Sequence, residues 1–273
     1  MSLHEVFRDC AAQRRAALIG YLPAGFPTIP DSAELFRAMV RGDGDTPGCD
    51  VVEIGIPYSD PVMDGPTIQA AGGEALRNGF RVRQLFDLVS AVAETGAAPV
   101  VMTYWNPVHR YGPDAFARDL AAAGGLGVIT PDLIPDEADE WLAAARRHDL
   151  DRIFLVAPSS TDRRLAMTAE AGSGFLYAAS VMGVTGARDS VPGSARDLVR
   201  RTREHTGLPI GVGLGVRTAE HAAEVGSFAD GVIVGSAFVS RARQEGATGV
   251  AEFAAELGRG VRSTPAPVPG AVD

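Results

Sequence analysis

The hydrophobic positions of the chain alternate between two kinds of run. Short stretches rich in Val, Ile and Leu and bounded by Gly or Pro lie at 17–22, 50–56, 99–104, 127–130, 153–157, 175–180, 209–213 and 231–234. This is the pattern of parallel strands buried on both faces. Between them run longer segments with apolar residues three and four apart, at 32–40, 67–78, 82–94, 113–123, 137–147, 162–171, 194–205, 217–225 and 248–257. That spacing predicts amphipathic helices. A further helical pattern, 4–14, precedes the first strand. Strands alternating with helices in this number, over roughly 250 residues, predict an α/β fold: a (β/α)8 barrel with an extra N-terminal helix. A doubly wound open sheet is the competing arrangement. No linker interrupts 1–262, which reads as one barrel domain, whereas the Pro and Gly of 263–273 predict a flexible tail.

In a barrel, chemistry sits where strands end and the following loops begin. The second strand carries Glu53 within Val51-Val52-Glu53-Ile54-Gly55-Ile56. A carboxylate in an apolar strand is costly unless it is paired or used, so Glu53 either meets a structural partner or does chemistry. The next loop runs Pro57-Tyr58-Ser59-Asp60-Pro61-Val62-Met63-Asp64-Gly65-Pro66-Thr67. Its prolines and glycine make it shaped rather than slack, and Thr67 is placed to cap the next helix. Asp60 and Asp64 each fit a turn role alone; beside Glu53, the acidic loop suggests a general acid/base pair held in two different environments.

Three glycine-rich turns follow the last three strands: MGVTGAR at 182–188, GVGLG at 211–215, and Gly235-Ser236. Glycine exposes backbone N–H groups and, with a helix N-terminus, makes an anion cradle. One such turn alone fits a tight strand-to-helix connection; three on consecutive late strands favour a phosphate site. His4, His109, His148, His205 and His221 are scattered without metal-ligand spacing, so no metal site is expected.

Composition removes several chemistries. All 25 basic residues are arginine. Without lysine there is no Schiff-base nucleophile, no covalent anchor for pyridoxal phosphate and no Walker A lysine. A net charge of −9 argues against nucleic acid as a partner. Cys10 and Cys49 fit neither a metal site nor a disulfide framework, no apolar run reaches the ~18 residues of a bilayer span, and no basic segment leads into an apolar run at the start; together these point to a cytoplasmic protein.

Residues 52–69, VEIGIPYSDPVMDGPTIQ, resemble the signature of the tryptophan synthase α chain family. So do MTYWNP at 102–107, TPDL at 130–133, APSS at 157–160, the turn at 182–188 and ADGVIVGS at 229–236, and the resemblance runs from about residue 14 to residue 260. It implies cleavage of indole-3-glycerol phosphate to indole and glyceraldehyde 3-phosphate, a retro-aldol step that needs no Schiff base. It also implies a β chain partner that holds pyridoxal phosphate and receives the indole within an α2β2 tetramer. The family's catalytic pair falls on Glu53 and Asp64. Tyr177 is expected near the substrate and the phosphate at Gly186, Gly215, Gly235 and Ser236, with Thr185 on a loop that closes over the site. The sequence departs from the family in a short polar insertion at 42–47 and in Tyr58 and Leu214, where phenylalanine is common. Two other readings compete. Another phosphate-sugar barrel enzyme would commonly want a metal cluster or a catalytic lysine. A non-catalytic scaffold would not need Glu53 and Asp64.

Overall fold

Alternation along the strands decides which side chains fill the middle of the molecule. The computed structural model describes residues 1–179 and 193–265. It contains β1 (Ala17–Pro23), β2 (Val51–Gly55), β3 (Ala98–Met102), β4 (Gly127–Ile129), β5 (Asp151–Ile153), β6 (Leu155–Val156), β7 (Leu176–Ala179), β8 (Ile210–Gly213) and β9 (Gly231–Val234). All pairs are parallel, in the order β5-β4-β3-β2-β1-β9-β8-β7-β6. The two ends of that order, β5 and β6, are halves of one stretch separated only by Phe154, so the sheet nearly closes into a barrel. The expected fifth strand is thus split: its first half ladders to β4 and its second half to β7, as the stagger of a barrel requires.

Eleven helices accompany the strands among the described residues: α1 (Leu3–Ala12), α2 (Ile29–Arg41), α3 (Pro66–Arg77), α4 (Leu85–Ala93), α5 (Trp105–Tyr111), α6 (Pro113–Ala122), α7 (Asp139–Arg147), α8 (Asp162–Ala171), α9 (Gly193–Arg203), α10 (Ala219–Gly226) and α11 (Ser236–Ser263). Two differ from expectation. Helix α5 forms although Pro107 reads as a breaker, because that proline stands in the first turn, where no intrahelical N–H is needed. Helix α11 starts directly after β9 and is interrupted at Gly246, whose φ of 62° is not helical, so only its second half shows clean periodicity in sequence. The cap of α3 is Gly65 with Pro66 in its first turn, not Thr67, which already lies inside the helix.

Outward-facing strand residues such as Val52, Ile54, Val101 and Val232 pack against the helices. Inward-facing residues Ala17, Ile19, Val51, Ala98, Val100, Ile129, Ile153 and Ile233 form a second cluster. Helix α1 closes the lower end of this inner cluster, contributing Leu3, Phe7 and Cys10, with the Phe7 and Phe175 rings 5.4 Å apart. Its start is fixed by a reciprocal cap between Ser2 and Glu5. Plugging one end leaves the C-terminal ends of the strands as the open mouth.

The same lower end holds a buried ion pair. Arg15, 6% exposed, donates from both terminal nitrogens to Asp50 at 2.7 and 2.8 Å, and Asp50 also accepts the Leu18 N–H at 2.9 Å. Removing one partner of such a pair strands the other charge. Asp50→Ala is therefore expected to lower unfolding free energy by about 3–5 kcal/mol, read from the urea midpoint. A loss below 1 kcal/mol would show that Arg15 finds another partner.

Candidate active site

Glu53 occupies the centre of β2 and faces the barrel interior. It pairs in register with Tyr21 of β1 on one side and Val100 of β3 on the other. It is 1% exposed, and its Oε1 finds no hydrogen-bond partner among the described residues. Burial alone pushes its carboxyl up to about 8, so it holds a proton at neutral pH. A buried polar atom left unpaired costs stability and calls for an explanation in function.

Asp64 lies on the loop between β2 and α3. That loop leaves Asp60 exposed and turns Asp64 half inward. Burial raises the Asp64 carboxyl, and a hydrogen bond from the Tyr104 hydroxyl works against that rise. The Tyr104 hydroxyl in turn accepts the Met63 N–H at 2.9 Å. The Asp64 carbonyl accepts from Gln69 Nε2 at 2.8 Å, tying the loop to the first turn of α3.

Two phenols complete the pocket. The hydroxyls of Tyr21 and Tyr177 are pushed well above the ordinary tyrosine range, first by burial and then by the negative charges of both Asp64 and Glu53. For Tyr21 the Asp64 charge weighs more; for Tyr177 the Glu53 charge does. All four groups thus share one enclosure. Glycines make the room: a Cβ on Gly55 would stand 2.5 Å from the Tyr21 hydroxyl, and one on Gly213 would stand 2.6 Å from the Tyr177 hydroxyl.

Two of the three glycine turns, through Gly213 and Gly235, border the same enclosure. A Cβ at Gly235 would lie 3.5 Å from Tyr21 Cδ1. One tyrosine ring therefore reaches from the Gly235 turn to Gly55, two residues beyond Glu53. Gly235 precedes α11 without any side-chain cap, so the first N–H groups of that helix, beginning at Ser236, have no capping partner from it. Gly215, after β8, has a φ of 70°, a conformation that favours glycine. Thr185 and Gly186 lie outside the described residues. Among the described residues, no group of three His, Cys, Asp or Glu is placed to hold a metal ion.

The structure brings Glu53, Asp64, Tyr177 and Gly235 together around Tyr21. The sequence pattern does not single out Tyr21 or Tyr104 as site residues. The signals are weak: Tyr21 shares the inward phase of Ala17 and Ile19, and Tyr104 continues the inward phase two residues beyond Met102, the last residue of β3.

Comparison with known proteins gives the family of the chain. The family profile described as tryptophan synthase alpha chain matches residues 7–260. The tryptophan synthase alpha chain of Mycolicibacterium paratuberculosis is 60% identical over 260 residues, covering 95% of this chain and 94% of that protein. The Nocardia farcinica alpha chain is 60% identical over 261 residues, 96% of each. A structure of Mycobacterium tuberculosis tryptophan synthase superposes with a TM-score of 0.90 at 58% identity, covering 95% of this chain and 98% of that one. A mutant tryptophan synthase alpha-subunit from Pyrococcus furiosus gives 0.80 at 33% identity, covering 89% and 98%. The chain belongs to the tryptophan synthase alpha chain family.

Proposed function

We propose that this chain cleaves indole-3-glycerol phosphate to indole and glyceraldehyde 3-phosphate as the α subunit of a cytoplasmic tryptophan synthase, with Glu53 and Asp64 as its catalytic residues. The observation that carries the reading is the buried Glu53 carboxyl, whose Oε1 has no hydrogen-bond partner among the described residues and which is neutral at physiological pH, with a second, less buried carboxyl, Asp64, near the same two tyrosines. Breaking the carbon–carbon bond directly would expel an unstabilised indole carbanion. Glu53, carrying a proton, delivers it to indole C3 and turns the ring into an electron sink. The resulting Glu53 carboxylate then takes the proton of the neighbouring glycerol hydroxyl. As that oxygen becomes the aldehyde carbonyl, the electron pair of the breaking bond returns to the ring and indole is released. Asp64, as a carboxylate, accepts the ring N–H and balances its growing positive charge. Tyr177 packs beside the reacting ring. Gly215, Gly235 and Ser236, with Gly186, offer N–H donors to the phosphate, and Thr185 belongs to the closing loop.

Pyridoxal phosphate does not fit this chain, which has no lysine to anchor it. Its place is the β chain, which we propose docks over the mouth and receives indole in an α2β2 assembly.

The two carboxyls predict the pH dependence. Activity that needs Glu53 protonated falls as pH rises through about 8; activity that needs Asp64 ionised falls on the acid side. A coupled assay for glyceraldehyde 3-phosphate, with and without β chain, is expected to give a bell-shaped kcat/KM profile. Absence of product, or a flat profile across both limbs, would overturn the assignment.

A further inference from the structure

The acidic loop meets the segment after β3 at two points. One is the hydrogen bond from the Met63 N–H to the Tyr104 hydroxyl, 2.9 Å. The other is made by Tyr58, which lies in the loop itself. Its ring stacks on Tyr104, with centroids 5.0 Å apart and planes 27° from parallel. Its hydroxyl accepts from Asn106 Nδ2 at 3.3 Å. Tyr104 is 6% exposed and fixed by the start of α5. It therefore acts as a post to which the loop is clamped on both sides of Pro61.

The clamp bears on Asp64. Having accepted the Met63 N–H, the Tyr104 hydroxyl has its own proton free to donate to the Asp64 carboxylate. A single hydrogen bond leaves the phenol ring able to tilt; a second, flat contact on its face removes that freedom. Stacked aromatic pairs are directional enough to do this. Small displacements matter here, because a misplacement of ~1 Å at a reacting group is enough to cost ~10²-fold in rate.

We propose that Tyr58 is a positioning residue for the indole-glycerol-phosphate reaction, its ring holding the Tyr104 hydroxyl between the Met63 amide and the Asp64 carboxylate. The proposal rests on the role assigned to Asp64 above. Among the described residues, the groups that face Asp64 are Tyr104, Tyr21 of β1 and Tyr177 of β7. None of these is a cation, and among the described residues the Tyr104 hydroxyl is the group that favours the Asp64 carboxylate. Loosening Tyr104 raises the proton affinity of Asp64 and moves the acid limb of the profile to higher pH. Glu53 does not touch the clamp, so the alkaline limb stays in place.

The test uses the full chain with saturating β chain and compares Tyr58→Leu, Tyr58→Phe, Tyr104→Phe, the double variant Tyr58→Leu/Tyr104→Phe, and Asp64→Asn. Tyr58→Leu is expected to lower kcat ~10–100-fold, with the Kd for glycerol 3-phosphate within twofold of wild type. Its acid limb should shift upward, toward that of Tyr104→Phe. Tyr58→Phe keeps the stacked ring and should restore both kcat and the limb. The double variant should match Tyr104→Phe, because Tyr58 acts through that hydroxyl. If Tyr58→Leu is misfolded by its melting temperature, Tyr58→Met takes its place. An unmoved limb in Tyr58→Leu while Tyr104→Phe shifts, or fully additive losses in the double variant, would overturn the role of Tyr58 and leave Asp64 untouched. An active Asp64→Asn that keeps its acid limb would instead remove the reading on which the proposal rests.

Discussion

Glu53→Gln is expected to lose activity and gain stability, the gain appearing only at neutral and alkaline pH. Loss of a general acid/base typically costs ~10²–10⁴ in rate, and Glu53 is proposed to act twice in one turnover, so kcat should fall toward the upper end. The stability effect follows from burial. The carboxyl rises from its ordinary 4.5 to about 8 in the fold. In the unfolded chain the proton leaves near 4.5, whereas the fold keeps it to about 8. Between those values the unfolded state binds fewer protons than the native state, so stability declines as pH rises. A shift of this size corresponds to roughly 4–5 kcal/mol across the whole interval. Glutamine has nearly the same shape, carries no charge and does not titrate. The variant should therefore melt close to wild type at pH 4 and well above it at pH 8.5, with glycerol 3-phosphate still bound. Near-normal turnover would remove Glu53 from the mechanism. A melting difference independent of pH would show that the carboxyl is solvated.

That carboxyl was legible in sequence because it breaks a rule: an ionisable group stands in the middle of Val51-Val52-Glu53-Ile54. The barrel was legible for a related reason, since buried parallel strands need unbroken apolar runs and glycine turns. What stayed hidden depends on neighbours distant in sequence. The break at Phe154 reflects the two sides of one strand pairing with β4 and β7 at different heights. Helix α5 and the first half of α11 carry signals that also mean loop: a proline in the first turn, and a glycine break at 246. Tyr21, Tyr58 and Tyr104 obey the rule that aromatic residues fill cores. Their place in the site comes from space left at Gly55, from the register of β1 on β2 and from the stack across two loops. Asp60 and Asp64 look alike in sequence, and only the path of the loop leaves one exposed and turns the other inward.

Gly235→Asp should nearly abolish phosphate binding, and Gly235→Ala should show that the cause is charge rather than bulk. In the proposed reading the phosphate is held by backbone N–H groups and the N-terminus of α11, in a chain that has no lysine. A Cβ at 235 would meet Tyr21 Cδ1 at 3.5 Å and Ile68 Cδ1 at 3.7 Å, ordinary contact distances. The φ of Gly235 is −117°, outside the left-handed region that favours glycine. Alanine is therefore expected to raise the Kd for glycerol 3-phosphate only a few-fold. Aspartate places a carboxylate against the incoming phosphate. Two unit charges ~4 Å apart repel by about 1 kcal/mol in water and about 4 kcal/mol near a protein surface, and a phosphate carries close to two charges. With each tenfold change in Kd worth about 1.4 kcal/mol, the expected rise is on the order of 100-fold, growing as pH rises and the phosphate gains its second charge. Calorimetric titration of both variants with glycerol 3-phosphate at two pH values measures it. If aspartate binds the ligand as well as alanine does, the phosphate sits away from Gly235, and the α11 N-terminus is not its cradle.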